Sequence, residues 1–279
     1  MYAVAGASGQ LGRLALGELI GRVGADKVVA LARDPAKLAD AGVAVRVADY
    51  DRPETLVPAL AGVERLLLIS GNAVGARVAQ HKAVIDAARE AGVKLIAYTS
   101  ILHADSSTIG LAEEHRQTEA LLRESGLAFV LLRNGWYNEN YTGALAPSVA
   151  HGAIIGAAGT GRIASATRAD YAAAAAVALV SAQGGEVYEL AGDAAFTMAD
   201  FAAEVAQVAG KPVAYVDMPK ADYAAALEGV GLPGFIAQMV SDSSFESSKD
   251  QLFDDSHTLS RLIGRPTTPI AETIAAALA

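Results

Sequence analysis

The sequence predicts an α/β protein, a doubly wound parallel sheet followed by a smaller, mainly helical C-terminal lobe. Three observations predict it. Short apolar runs without polar alternation, the mark of strands buried on both faces, recur through the first half of the 279-residue chain. Segments of helical period separate these runs. After Asn134 the rhythm breaks, and few buried-strand signals follow.

The first run, Tyr2–Ala5, leads directly into Gly6-Ala7-Ser8-Gly9-Gln10-Leu11-Gly12, after which Leu11, Leu14, Ala15, Leu19 and Ile20 recur at helical spacing. The glycines therefore sit on a strand-to-helix turn. A missing Cβ there permits unusual backbone angles and close approach of a ligand, and the helix N-terminus offers free N–H groups to a phosphate. A dinucleotide pyrophosphate fits such a turn, so Gly6, Ala7, Ser8, Gly9, Gln10, Leu11 and Gly12 form the expected cofactor loop of a Rossmann sheet. The spacing G-x-x-G-x-x-G is the variant typical of short-chain dehydrogenase/reductase relatives. An ordinary glycine-rich turn is the competing explanation.

Further strands are expected at Val28–Ala32, 43–47, 66–69, 95–99 and 129–132, with helices between them. Ligands in such a sheet bind at the carboxyl ends of the strands. Beyond Asn134, a helix over 141–149, a glycine-rich stretch over 155–161, an alanine-rich helix from Ala169 and a strand at Val187–Leu190 are expected. Helices near 199–209, 221–228, 256–263 and Ile270–Leu278 complete the chain. The expected division is a cofactor domain over 1–150 and a capping lobe over 151–279, with residues 151–195 lending elements to the sheet.

Composition narrows the partners. A formal net charge of −9 argues against nucleic acid and against an anionic membrane surface, which require a basic footprint. The absence of cysteine excludes disulfides, thiolate nucleophiles and iron–sulfur or zinc–cysteine sites. The chain opens on a strand run rather than a basic, cleavable leader, and the alanine-rich run 171–182 is too short to span a bilayer. A cytoplasmic protein is therefore expected, and the sequon Asn140-Tyr141-Thr142 reads as chance. The five histidines show no metal-ligand spacing, so no metal site is expected.

The second strand ends in Arg33, where an acidic side chain would normally hold the ribose hydroxyls. A guanidinium presents forked donors suited to a 2′-phosphate, so Arg33 favours NADPH, with NADH binding more weakly. A solvated surface arginine is the alternative. Asp34 precedes Pro35 and reads as a helix cap rather than the missing acid. Asp49 either faces the adenine or belongs to a helix start in which Asp51 caps and Glu54 completes a box. Ser70 and Gly71, after the fourth strand, give the backbone close access to the nicotinamide ribose.

Taken together, "GASGQLG", Arg33, "LLLIS", "GVKLIAYTSILHAD", "LLRNGWYNENY", "IASATRADYAAAAA" and "TLSRLIGRPTTPIAETI" resemble the NmrA-like, atypical short-chain dehydrogenase/reductase family over essentially the whole chain. Within it the likeness is to the bacterial quinone-reducing members and the neighbouring triphenylmethane reductases. The resemblance implies NADPH in the larger domain, a pocket between the lobes, and neither flavin nor metal.

One departure is informative. Classical members of the superfamily carry Tyr-x-x-x-Lys, but "GLAEEHRQTE" offers Leu111 and His115 at those positions. Reduction of a ketone to an alcohol passes through a strongly basic alkoxide and needs an acid, whereas a quinone yields an aromatic oxyanion near the tyrosine range, about pKa 10, which solvent can protonate. Loss of the pair therefore fits a quinone or another delocalised acceptor, and His115 should be replaceable with little loss of turnover. The expected acceptor pocket is Asn134, Trp136 and Tyr137, where the two aromatic rings offer flat faces; core packing at the lobe junction is the alternative. His103 and Tyr137 are the candidate catalytic groups. Tyr137 and Arg168, the latter beside Thr167, are expected at the cofactor, with an ion pair from Arg168 to Asp170 or Glu189 as the competing role. The implied activity is hydride transfer from NADPH to a small quinone-like molecule. A nucleotide sensor without turnover and a dye-type reductase remain open.

Overall fold

The computed structural model describes residues 1–279. Its first half alternates as the sequence predicts, except that only a 3-10 turn, Pro35–Leu38, stands between the second and third strands: β1 (Tyr2–Ala5), α1 (Gln10–Val23), β2 (Val28–Ala32), β3 (Ala44–Val47), α2 (Leu56–Ala59), β4 (Arg65–Leu68), α3 (Arg77–Glu90), β5 (Leu95–Ile101), α4 (Ala112–Glu124) and β6 (Ala128–Asn134). Seven parallel strands stand in the order β3-β2-β1-β4-β5-β6-β8, where β8 is Val187–Leu190. The chain winds outwards from β1 in both directions. The switch point therefore lies between β1 and β4, and the loops following those strands flank the crevice where such sheets bind ligands.

Burial explains the unalternating strands. Val4 and Leu67 face one apolar layer while Ala3, Ala5, Leu66 and Leu68 face the other, as successive strand residues must. The first layer is closed by α1 and by α7 (Arg168–Ser181), whose small alanine side chains allow close approach to α1 and the sheet. Thr167 caps α7 by accepting the Asp170 N–H at 3.1 Å.

The remaining elements are α5 (Asn138–Thr142), α6 (Leu145–His151), β7 (Ala153–Gly156), α8 (Met198–Ala209), β9 (Ala214–Asp217), α9 (Lys220–Gly229), α10 (Gly234–Ser247), α11 (Thr258–Ile263) and α12 (Ile270–Leu278). A separate apolar cluster joins Leu145, Ile154, Phe196, Phe201 and Ile274. By contrast, α11 returns to pack on α7 and β8.

The single helix expected over 141–149 is two. Pro147 lacks an N–H and its ring would collide with the carbonyl of residue 143, so the helix stops at Thr142 and restarts at Leu145. The parallel pair β7 and β9 and the helix α10 were not expected. The former is half exposed and so lacks an apolar run, and the serine-rich 240–248 stretch conceals the latter.

Candidate functional site

The β1–α1 turn and the β4–α3 connection meet across the crevice. Gly6 has φ +71°, and a Cβ there would lie 3.5 Å from Ile69 Cβ and 3.9 Å from the Tyr50 hydroxyl. Gly12 cannot be anything larger, since its Cβ would stand 2.2 Å from the Gly6 carbonyl. Gly9 differs from both. Its φ of −75° suits any residue, and a Cβ would meet only the Gly6 carbonyl at 3.3 Å, with open space beyond. The Gly9 N-cap gives α1 no side-chain cap, and its first turn holds no acid, so the N–H groups at this end are available to an anion. Ser8, Gly9 and Gln10 form the accessible rim. Ala7 and Leu11 instead bury their side chains in the core, and the Ala7 N–H is taken by the Leu31 carbonyl at 3.1 Å.

Arg33 is exposed at the end of β2, with its guanidinium in no ion pair or hydrogen bond of the protein. Asp34 accepts the Ala36 N–H at 3.1 Å, the cap that the sequence indicates. The expected Asp51/Glu54 box does not form. Asp51 accepts from Gln80 at 2.7 Å, Glu54 pairs with Arg52 at 3.0 Å, and Arg52 is the N-cap of the short 3-10 turn Pro53–Thr55. Asp49 likewise holds its own turn, accepting the Asp51 N–H at 3.1 Å. The neighbouring Tyr50, which the sequence reading missed, faces the crevice, and burial pushes its phenol above the ordinary range.

Beyond β4, the polar backbone of Ser70 and Gly71 is directed inwards. The Ser70 N–H donates to Thr99 Oγ1 at 2.8 Å and the Gly71 N–H to His81 Nε2 at 3.0 Å, while the Gly71 carbonyl accepts from Arg77 Nε at 2.7 Å. Gly71 therefore has its N–H committed and keeps only the second lone pair of its carbonyl as a main-chain group for a ribose. His115 is buried, with Nδ1 2.7 Å from the Tyr98 hydroxyl and Nε2 3.3 Å from Arg77. Burial and the Arg77 charge lower the pKa of both His81 and His115 to about 3.

At the end of β6, Asn134 is buried and its Oδ1 has no hydrogen-bond partner. Tyr137 stands edge-on to Tyr171 at 5.4 Å, with the Arg168 guanidinium 4.5 Å from its ring centre. Burial raises the Tyr137 pKa, partly offset by Asn134 and Arg168. Asn134, Tyr137 and Arg168 thus converge. The ion partner of Arg168 is Glu139 at 3.5 Å, not Asp170 or Glu189; Asp170 is taken by Arg265 at 2.6 Å and Glu189 by Arg133 at 2.8 Å.

The half-buried Trp136 packs instead against the apolar cluster of Leu145, Phe196 and Ile274. His103 is also committed elsewhere, with Nε2 donating to the Phe253 carbonyl at 3.1 Å and Nδ1 3.6 Å from Glu189. An imidazole held between a carbonyl and two carboxylates, the second being Asp254 at 3.7 Å, is a poor candidate for hydrogen bonding an acceptor. A groove of roughly 310 Å³ instead opens between Val74, Leu111, Phe235 and Met239, with the Lys220–Asp242 ion pair at its edge.

A doubly wound sheet with a glycine cradle, a free helix N-terminus and an unpaired arginine at the second strand defines a dinucleotide-binding protein. The chain belongs to the NAD(P)H-binding family, which it matches over residues 6–182. It is 54% identical to quinone oxidoreductase 2 of Escherichia coli (strain K12) over 98% of this chain and 97% of that one. The crystal structure of the Escherichia coli NADPH-dependent quinone oxidoreductase complexed with NADPH superposes with a TM-score of 0.97, covering 100% of both chains at 53% identity. The Citrobacter sp. triphenylmethane reductase complexed with NADP(H) gives a TM-score of 0.95 at 36% identity, again over 100% of both chains. No helix is long and apolar enough to cross a membrane.

Proposed function

We propose that this protein is an NADPH-dependent reductase that passes hydride directly to a quinone-like acceptor, acting in the cytoplasm. The observation that carries the reading is the apolar groove beside Leu111, bordered by the connection that also borders the cofactor crevice. The likeness to quinone oxidoreductase 2 over nearly the whole chain supports it.

The residues present fit the dinucleotide. Open space beyond Gly9 and the uncapped N-terminus of α1 would receive the pyrophosphate, Arg33 would pair with the 2′-phosphate, and the unsatisfied Asn134 amide, with Tyr137 and Arg168, would meet the nicotinamide end. When bound, NADPH supplies the hydride. Val74, Leu111, Phe235 and Met239 would exclude water from a flat acceptor and hold it against the crevice. No side chain need supply a proton. His115 is neutral and hydrogen-bonded at both ring nitrogens, so the oxyanion of the reduced ring is left for solvent to protonate.

The similarity to triphenylmethane reductase favours a second acceptor class, cationic dyes, over the same groove. Following NADPH absorbance with a naphthoquinone, with crystal violet and with neither tests both. Oxidation with the naphthoquinone is expected. NADPH binding without oxidation by any acceptor would make the protein a nucleotide sensor instead.

A further inference from the structure

Gly71 is gripped at both its N–H and its carbonyl, by His81 and Arg77. Four residues on, the Gly75 N–H donates to Glu114 Oε1 at 2.8 Å. The connection from Ile69 to Ala76 is thus pinned twice before α3 begins. The pinning groups are themselves fastened to α4 and β5. His81 Nδ1 meets Thr118 Oγ1 at 3.0 Å, Arg77 reaches His115 Nε2 at 3.3 Å and Glu114 at 3.8 Å, and His115 Nδ1 meets Tyr98 at 2.7 Å.

The donors fix the tautomers. Because the Gly71 N–H points at Nε2 of His81, that ring carries its proton on Nδ1 and donates to Thr118, whose hydroxyl donates onward to the Glu114 carbonyl at 2.9 Å. Arg77 has only donors, so Nε2 of His115 accepts and Nδ1–H donates to Tyr98. Each imidazole works as one acceptor and one donor, a role that only the neutral ring can fill.

We propose that Arg77, His81, Glu114 and His115 form a positioning device that locks the 69–76 connection to the start of α4 and thereby sets the distance between cofactor crevice and acceptor groove. This rests on the quinone-reductase reading for its kinetic consequence. One end of the connection, Ile69, borders Gly6 of the cofactor turn, and near the other end Val74 lines the groove. Leu111, also on the groove, lies one turn before His115. The two positions that carry proton chemistry in classical relatives are thereby reused, one as groove wall and the other as fastener. A displacement of about 1 Å between reacting atoms is enough to cost roughly a hundredfold in rate.

The test compares His81→Leu and Glu114→Ala with the conservative His81→Gln, whose Oε1 can still accept the Gly71 N–H. With menadione as acceptor, the first two variants should lose at least tenfold in kcat/KM, with the ratio of NADPH to NADH affinity within twofold of the unmutated protein, and His81→Gln should recover most of the loss. Hydrogen exchange gives a readout independent of turnover. NADPH should slow exchange over 69–76 in the unmutated protein and in His81→Gln, and fail to do so in His81→Leu and Glu114→Ala. Should His81→Leu not fold, the half-buried Glu114 decides, since its replacement leaves the buried imidazoles in place. A lowered melting temperature with unchanged kinetics and exchange, or equal losses for His81→Gln and His81→Leu, would overturn the proposal. An unmutated protein inert towards menadione would defeat the functional reading alone, and the exchange comparison would still decide the positioning role.

Discussion

Arg33 has no partner within the protein, and this makes it the residue at which cofactor choice can be altered alone. A charge-assisted contact to the 2′-phosphate should contribute about 1.5–3 kcal/mol, so Arg33→Ala should lose roughly ten- to a hundredfold in NADPH affinity and little for NADH. Fluorescence titration with both cofactors checks this; equal affinities in the unmutated protein would refute it. His81 and His115 make a second prediction. Both bind protons in the unfolded chain below about pH 6.5 and in the folded protein only near pH 3. The unfolded state therefore holds more protons between those values, and stability falls as the pH drops through that window. Urea unfolding at pH 7 and pH 5 measures it, and a double His→Gln variant should flatten the dependence. Arg33 and the glycine turn were legible because their signals are local in sequence. The imidazole network was not, because its contacts span 37 and 38 residues and nothing local marks a buried histidine. His115→Ala, expected from the sequence to cost little turnover, takes a partner from the Tyr98 hydroxyl and from one Arg77 N–H, each buried group so left costing about 1–3 kcal/mol of stability.

Among the elements, the turn before α1 separates two uses of glycine. Gly9→Val should abolish NADPH binding and leave the protein folded with at most a small drop in melting temperature, since its Cβ makes one tight approach, 3.3 Å to the Gly6 carbonyl, and the backbone angle suits any residue. Gly12→Ala should destabilise the fold itself, because its Cβ meets backbone that cannot yield. Thermal melts of the two variants beside cofactor titrations decide whether the assignment is right. The strands β5 and β6 carry a buried ion cluster that the sequence concealed. Arg133 pairs with Glu119 at 2.8 Å and Glu189 at 2.8 Å, and Ser100 donates to Glu119 at 2.7 Å. These carboxylates hold the guanidinium charged against the cost of burial. Arg133→Met would leave the buried Glu119 with only Arg123 at 3.1 Å and Ser100 as partners and should cost about 1.5–3 kcal/mol, visible as a lowered urea midpoint. Strand periodicity identified the six central segments, but it could not show that a charged residue within one of them faces inward, because inward-facing arginine requires partners from α4 and β8.

At the scale of the whole molecule, the cofactor half is assembled from distant parts of the chain. The seventh strand, β8, pairs with β6, α7 covers α1, and α11 packs on both α7 and β8. Asp170 at the start of α7 is buried and receives Arg265 and the Thr268 N–H at 2.9 Å, tying the last segment of the chain to the sheet. This interleaving sets a timetable during synthesis. At roughly 5–20 residues per second, some 3–10 s separate the emergence of β6 from that of β8. Through that interval the growing chain presents an unpaired strand edge and, until α7 emerges, the bare apolar side of α1, surfaces that favour aggregation and chaperone capture. Nascent chains arrested with residue 150 outside the ribosome should therefore be cut readily by protease, whereas those with residue 195 outside should resist. Equal resistance at both lengths would show that the sheet closes without its late partners.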